Sequence, residues 1–376
     1  MSASTRISRP FGYRLMHLHW PLIMLIGMLS GLGFLILYSA AGGNMDPWTS
    51  RQMLRFALGF VLMLIVALVP LQTLMRYAYV LYGAAVLMLI VVELFGHMGM
   101  GAQRWVKVGF VNLQPSELMK LCLVLALARY FHGLSPQEVN RPLLLVVPML
   151  LIAVPVVLIL KQPNLGTATI TAGVAVAVLF AAGLTYWVYI IGIVGGAAAV
   201  PVLYHFLHDY QKRRVDTFLD PESDPLGAGY NILQSKIAIG SGGLFGKGFM
   251  EGSQSQLNFL PEKETDFIFT MFAEEFGFAG GMTVILLYVA LIGASILFAV
   301  TSRNQFGRLI AIGVATMFFL HMFINMAMVM GLIPVVGVPL PFLSYGGTIL
   351  IAAMIAVGLL LNVHANRFLV MGRGGL

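Results

Sequence analysis

LLLVVPMLLIAVPVVLIL, residues 143–160, runs for 18 positions with no charge and no alternation of polar and apolar residues. A helix rises about 1.5 Å per residue, so roughly 20 apolar positions match a hydrocarbon core about 30 Å thick. Lipid offers the backbone no hydrogen bonds, so only helices and closed barrels cross it, and a barrel strand would alternate. The stretch reads as a membrane-spanning helix.

The rest of the chain agrees. Its 376 residues are 59% hydrophobic and 10% charged, with a mean hydropathy of +0.90, whereas soluble domains carry roughly 25% charged residues. Nine further apolar windows lie near Trp20–Tyr38, Phe56–Val69, Tyr77–Leu94, Leu118–Tyr130, Ala168–Ala182, Trp187–Phe206, Phe267–Val300, Leu309–Met330 and Ile349–Val363. The window from Phe267 is too long for one crossing, so its first part is expected to be tilted or interfacial. The expected architecture is an all-α polytopic membrane protein with about ten transmembrane helices. It forms a single integral membrane domain over residues 1–376, with one large extracytoplasmic loop, approximately 208–266, between the seventh and eighth spans. The one cysteine, Cys122, excludes an internal disulfide.

Charge sets the expected orientation. Arg6, Arg9 and Arg14 precede the first span without an acid, which places the N-terminus in the cytoplasm. An even number of spans returns Arg367 and Arg373 to the same side. A cleaved signal peptide is not expected, because the first apolar run is too long for one. Arg51, Arg55, Arg104, Lys107, Lys120 and Lys161 then fall near span ends on the outer side. Each alone could snorkel to the interface; together they suggest an electropositive outer cavity suited to a phosphate. In the third loop, GHMGMGAQRWVKVGFVNLQPSELMK, Pro115 marks a helix start. Glu117 and Lys120 stand three apart and can pair on one face. That pair either holds a helix end or lines the cavity, with Lys120 available to a phosphate. KQPNLGT, 161–167, reads as a tight outer turn.

Eleven of the fifteen acids lie between Asp209 and Glu275. ILQSKIAI in this region fits a short helix on the membrane surface. SGGLFGKG lacks the spacing and the preceding strand of a phosphate-cradling loop, so a nucleotide site is rejected. NFLPEKETDFIFTMFAEEFG, residues 258–277, carries Glu262, Glu264, Asp266, Glu274 and Glu275 beside Lys263, where water gives way to lipid. A carboxylate there is costly and suggests function. GLIPVVGVPLPFLSYGGT, 331–348, holds three prolines and cannot be a regular helix. Non-helical backbone at that depth must be buried by protein or line a cavity, so the loop is expected to be re-entrant. His321 and Asn325 should face the bundle interior. Neither an internal repeat nor a metal-ligand cluster stands out.

RVDTFLDPESDPLGAGYNILQSKIAIGSGGLFGKG, GSQSQLNFLPEKETDFIFTMFAEEFG, GLIPVVGVPLPFLSYGG and GAQRW…QPSE resemble the SEDS (shape, elongation, division, sporulation) proteins over nearly the whole chain. GSQSQLNFLPEKETDFIF is closer to the elongation members than to the division members. The resemblance implies a ten-span peptidoglycan glycosyltransferase of the bacterial cytoplasmic membrane, polymerising lipid II on the outer face for cell-wall elongation and rod shape. Its implied partners are a class B penicillin-binding protein, the cross-linking transpeptidase, and the elongation machinery. Nucleic acid is not among them. Asp266 stands at the family's essential aspartate. Asn164 departs from the pattern, since the family usually has Asp in that turn.

The expected reaction is an inverting displacement of undecaprenyl diphosphate, with Asp266 as general base and cations on the diphosphate. An interfacial setting should raise the Asp266 pKa, with Lys263 opposing. Arg104 and Lys120 are candidates for the diphosphate, with Arg51, Arg213 and Lys263 beside them. A divalent cation, Mg2+ or Mn2+, held by carboxylates such as Glu117, is a further candidate. Two rival readings stay open: a flippase for lipid-linked precursors, and a non-catalytic scaffold for the cross-linking enzyme.

Overall fold

The computed structural model describes residues 18–95, 97–99, 102–108, 111–206, 212, 216–218, 220, 228–256 and 262–372. In chain order its helices are α1 (Trp20–Ala40), α2 (Thr49–Leu68), α3 (Leu71–Phe95), α4 (Pro115–His132), α5 (Pro142–Lys161), α6 (Leu165–Ala182), α7 (Tyr186–Phe206), α8 (Ala228–Ser241), α9 (Ser253–Gln256), α10 (Ile268–Thr301), α11 (Gln305–Val329) and α12 (Gly347–Ala365). A small antiparallel sheet, β1 (His97–Gly99), β2 (Ala102–Val108) and β3 (Val111–Leu113), precedes α4. Composition gave no sign of this sheet. Among the described residues every other regular element is a helix.

Eight of these helices, α1, α2, α3, α5, α6, α10, α11 and α12, are long and apolar enough to cross a membrane. The protein is thus a multi-pass membrane protein. The other two apolar windows are α4 and α7; Glu117, Lys120 and Arg129 lower the hydropathy of α4. α11 is the hub, packed against α4, α6, α8, α10 and α12. Without a hydrophobic force between helices in lipid, small residues let backbones approach. On α12, a Cβ at Gly358 would stand 2.6 Å from the Met63 carbonyl of α2.

α10 is two helices joined at a break. Gly277 has φ 66° and ψ −163°, a conformation that only glycine adopts easily. The stretch before it, Ile268–Ala273 with Glu274 and Glu275, is buried. The glycine-rich segment 241–248 clasps this break by backbone alone. The amides of Lys247 and Gly248 donate to the carbonyls of Glu274 and Glu275 (both 3.1 Å), and the amides of Phe278 and Ala279 donate to Gly243 (2.9 Å) and Leu244 (3.0 Å). A Cβ on Gly246 would lie 2.0 Å from the Glu275 carbonyl oxygen. The segment that looks superficially like a phosphate loop is therefore a clamp on a broken helix. Glu274 strengthens it: Oε1 accepts from Lys247 Nζ (2.7 Å) and from the Gln254 amide (2.9 Å).

α1 begins where α12 ends. His19 caps α1, its Nδ1 accepting from the Leu22 amide at 3.2 Å. Its ring meets Phe298 and His364 edge-on, at 5.0 and 4.9 Å between centroids. Arg367 reaches His364 at 2.7 Å and covers the Phe368 ring. The two terminal spans therefore share one end of the bundle.

Candidate active site around Asp266

α11 carries the supports of the site. His321 and Asn325 lie one turn apart on one face, and both are buried. Asn325 Nδ2 donates to the Asp266 carbonyl (2.9 Å) and to the Val338 carbonyl (2.7 Å). Lys120 Nζ sits 2.9 Å from Glu117 Oε2 and 2.7 Å from His321 Nε2. An ammonium only donates, so Nε2 accepts, and the imidazole hydrogen is assigned to Nδ1, which faces the Pro339 carbonyl at 3.2 Å. One chain of contacts thus runs from Glu117 through Lys120 and His321 to the loop after α11.

That loop, residues 332–346, is non-helical and largely buried from Val338 to Ser344, because Pro334, Pro339 and Pro341 deny it a helical ladder. Its backbone is held from every side. Tyr288 Oη donates to the Pro341 carbonyl. Gln52 Nε2 donates to the Ser344 carbonyl at 3.0 Å and Gln52 Oε1 accepts from the Gly346 amide at 3.3 Å. A Cβ on Gly33 of α1 would meet the Phe342 carbonyl at 2.4 Å, so α1 can approach only as glycine. The loop is buried by protein, as its depth demands.

The segment before α10 lies along this loop. Ser344 Oγ donates to the Thr265 carbonyl (2.7 Å), and the Tyr345 amide donates to the Glu264 carbonyl (2.8 Å). Glu262, at φ 56°, accepts from the amides of Thr265 and Phe267 in a tight turn. Asp266 leaves that turn half-buried, with Oδ2 3.2 Å from where a Cβ of Gly337 would stand. Its carboxylate lies close over Gly337, whose φ of +69° favours glycine, and its own carbonyl is pinned by Asn325. Burial pushes the Glu264 carboxyl up and the neighbouring Lys263 ammonium down.

The other residues singled out from the sequence are distributed unevenly. Glu117 and Lys120 form the expected pair, but it is closed: Lys120 is 1% exposed and holds Glu117 and His321 rather than an open cavity wall. Arg51 lies exposed on α2 and Lys161 exposed at the end of α5. Arg104 and Lys107 fall in β2, but their side chains, like Arg213, Arg6, Arg9, Arg14 and Arg373, lie outside the described residues. Asn164 is the N-cap of α6, its Oδ1 accepting from the Thr167 amide at 3.3 Å; Asn caps as well as Asp does. Glu274 and Glu275 are buried, and Ser39 Oγ donates to Glu275. Gln52 and Ser344 were not singled out from the sequence. A lone glutamine inside an apolar helix was the available signal for the first. Among the described residues, no three His, Cys, Asp or Glu side chains group to hold a metal, and Glu117 is already engaged by an ammonium.

Comparison with known proteins bears on this geometry. The family model described as "Cell cycle protein", FTSW_RODA_SPOVE, matches residues 14–368. Peptidoglycan glycosyltransferase MrdB of Escherichia coli is 42% identical over 354 residues, covering 93% of this chain and 94% of its own. A probable peptidoglycan glycosyltransferase FtsW of Trichlorobacter lovleyi is 36% identical, covering 96% of each chain. A chain from a peptidoglycan synthase complex, solved to address coordination of polymerization and crosslinking, superposes with a TM-score of 0.81 at 32% identity, covering 94% of this chain and 99% of its own. The rod shape determining protein RodA of Thermus thermophilus gives 0.72 at 30% identity, covering 94% and 98%. With a match this continuous, the chain belongs to the FtsW/RodA/SpoVE family, the SEDS proteins.

Proposed function

We propose that this protein is a peptidoglycan glycosyltransferase that polymerises lipid II for cell-wall elongation, with Asp266 as its general base. The names of its relatives support the activity. The choice of base is supported by one observation: of the five carboxylates in 258–277, Asp266 is the one set against Gly337 of the buried loop. Glu274 is engaged by the glycine clasp and Glu275 by Ser39.

In the proposed step a sugar hydroxyl of one lipid-linked unit attacks the anomeric carbon of another. The new C–O bond forms as the bond from that carbon to the diphosphate oxygen breaks. Asp266 takes the hydroxyl proton, and the bonding electron pair leaves with undecaprenyl diphosphate. The Asn325 contact fixes the Asp266 backbone, which favours one attack geometry. A Mg2+ or Mn2+ ion would have to draw its ligands chiefly from the diphosphate, because Lys120 already holds Glu117.

The same reading places ten crossings in the bacterial inner membrane within a single domain. Both termini are then cytoplasmic, and Asp266 is on the outer face with the 208–266 loop. It takes a cross-linking transpeptidase of the class B penicillin-binding type as partner, in keeping with the synthase complex that the fold matches.

The test is polymerisation of purified lipid II. Asp266→Asn should lower the rate by at least about 10²-fold, the usual lower bound for a general base, with the melting temperature unchanged. Wild-type rates in that variant would remove Asp266 from the role.

A further inference from the structure

Arg55 occupies an unusual electrostatic position. It projects from α2 onto the start of α12: its Nε is 3.3 Å from where a Cβ of Gly347 would stand, and its guanidinium carbon is 4.6 Å from the Tyr345 ring centroid. Gly346, the N-cap of α12, supplies no side-chain cap. A second helix start meets the first there. The Gln114 amide, at the N-cap of α4, donates to Thr348 Oγ1 at 3.0 Å, and Gln114 likewise gives α4 no side-chain cap. Helix N-termini carry partial positive charge and favour anions, whereas a cation belongs at a C-terminus. Here a guanidinium lies on one N-terminus beside another. Among the described residues Arg55 takes part in no ion pair, and its Nη1 is buried without a hydrogen-bond partner. Ser116 Oγ, in the first turn of α4, is also buried without one.

From this juxtaposition we infer that Arg55, with the first turns of α12 and α4, forms a binding site for the diphosphate of a polyprenyl-linked substrate. An anion there would answer the orphaned guanidinium nitrogen of Arg55 and lie where the partial positive charge of two helix starts favours it. A diphosphate offers several acceptor oxygens, and the guanidinium fork matches phosphate geometry. The surroundings suit a lipid-borne ligand, since Leu54 and Leu58 flank Arg55 and are 65% and 51% exposed on a membrane-spanning helix. The Tyr345 amide that backs this site donates to Glu264, two residues before Asp266. The leaving group and the proposed base would thus be held by the same short stretch of loop. This inference rests on the proposed polymerase reading and assigns its diphosphate to Arg55, one turn on from the exposed Arg51.

The experiment uses the whole protein in detergent and farnesyl diphosphate as probe, followed by calorimetry and thermal melting. Farnesol, inorganic pyrophosphate and phosphatidylglycerol are the comparison ligands. Wild type should bind farnesyl diphosphate and not farnesol, and pyrophosphate should compete. Arg55→Gln should weaken binding about tenfold, as expected for loss of a charge-assisted pair, and raise KM for lipid II more than it lowers kcat. Arg308→Gln, at the far end of α11, should bind like wild type. If Arg55→Gln does not fold, Arg55→Lys carries the test, with weakening of roughly threefold from loss of the fork. Unchanged affinity in the Arg55 variants, equal binding of farnesol, or equal competition by phosphatidylglycerol would overturn the site. Arg55-dependent binding in a protein that makes no glycan would break the polymerase reading and leave the site standing. Glycan synthesis with binding indifferent to Arg55 would do the reverse.

Discussion

At the Asp266 end of the bundle, Asn325, Gln52, Ser344 and Tyr288 all direct their side chains to backbone carbonyls of neighbouring loops and turns. At the opposite end, where α1 starts and α12 stops, His19, Phe298, His364 and Arg367 close the helices by ring packing and one cap. The first end keeps backbone in a non-helical shape that its own sequence could not maintain. The second joins helices that would form anyway. A buried carbonyl without a partner costs about 1–3 kcal/mol, so the Asp266 end is fixed by obligation, and Arg55, the one cation among the described residues with a buried nitrogen lacking a hydrogen bond, stands out against that. Polar side chains also satisfy carbonyls at the second end, where Asn362 Nδ2 donates to those of Val66 and Val69. What sets the first end apart is that the carbonyls belong to a buried non-helical loop and the turn beside it.

The sharpest way to break this contrast is at the glycine clasp. Gly246→Ala would drive a Cβ to 2.0 Å from the Glu275 carbonyl at a φ of +85°, so little folded protein is expected on size exclusion. The loss should exceed about 4 kcal/mol, the range reserved for severe backbone or core damage. Normal folding would mean that the clasp is dispensable. Asn325→Leu is the next largest. It strips donors from the Asp266 and Val338 carbonyls and should cut kcat for lipid II at least about tenfold, the cost of roughly 1.4 kcal/mol of lost positioning. Asn325→Asp keeps the shape and one oxygen but loses the paired donors, so it should not restore the rate. Full activity in either variant would show that the loop holds Asp266 without α11.

The smallest effect is expected at the opposite end. His19→Ala should cost about 1 kcal/mol, as for other lost helix caps, with polymerisation unchanged. Burial, reinforced by Arg367, lowers the His19 pKa. The folded state therefore binds fewer protons than the unfolded state below the ordinary histidine value of about 6.5. The His19 contribution is full above that pH and fades as pH falls through it. The gap between the melting temperatures of wild type and His19→Ala should be widest at neutral pH and narrow as pH falls below about 6.5. A constant gap would remove the histidine from this role.

Much of this was legible in the primary sequence, because lipid leaves a chain few choices. Apolar windows located the helices to within about two turns, and three prolines announced the buried non-helical loop. His321 and Asn325 were readable as interior groups from their place in an apolar helix. The break in α10 was foreseen only as an overlong span, because a run of Ile, Phe and Met around Gly277 is compatible with one helix until a distant loop contacts it. The glycine clasp was hidden for the same reason: its recognition is backbone to backbone over some 30 residues, and carbonyls have no letter code. For the Glu117–Lys120 pair the sequence leaves open a helix-end role and a cavity-lining one, because spacing gives Lys120 its partner Glu117 but not the closing imidazole 201 positions away. The small sheet before α4 left no apolar pattern to detect.

The clasp has a practical corollary. Because segment 241–248 grips α10 through its amides and carbonyls, its side chains are not needed for the grip, and Leu244 and Phe245 are 68% and 83% exposed. A cysteine at either position, with Cys122 replaced by Ala, would offer an attachment point for a spin or fluorescent label. Such a reporter would ride near the Asp266 end while leaving the fastening intact, giving a distance ruler for watching the protein while substrate and partner arrive.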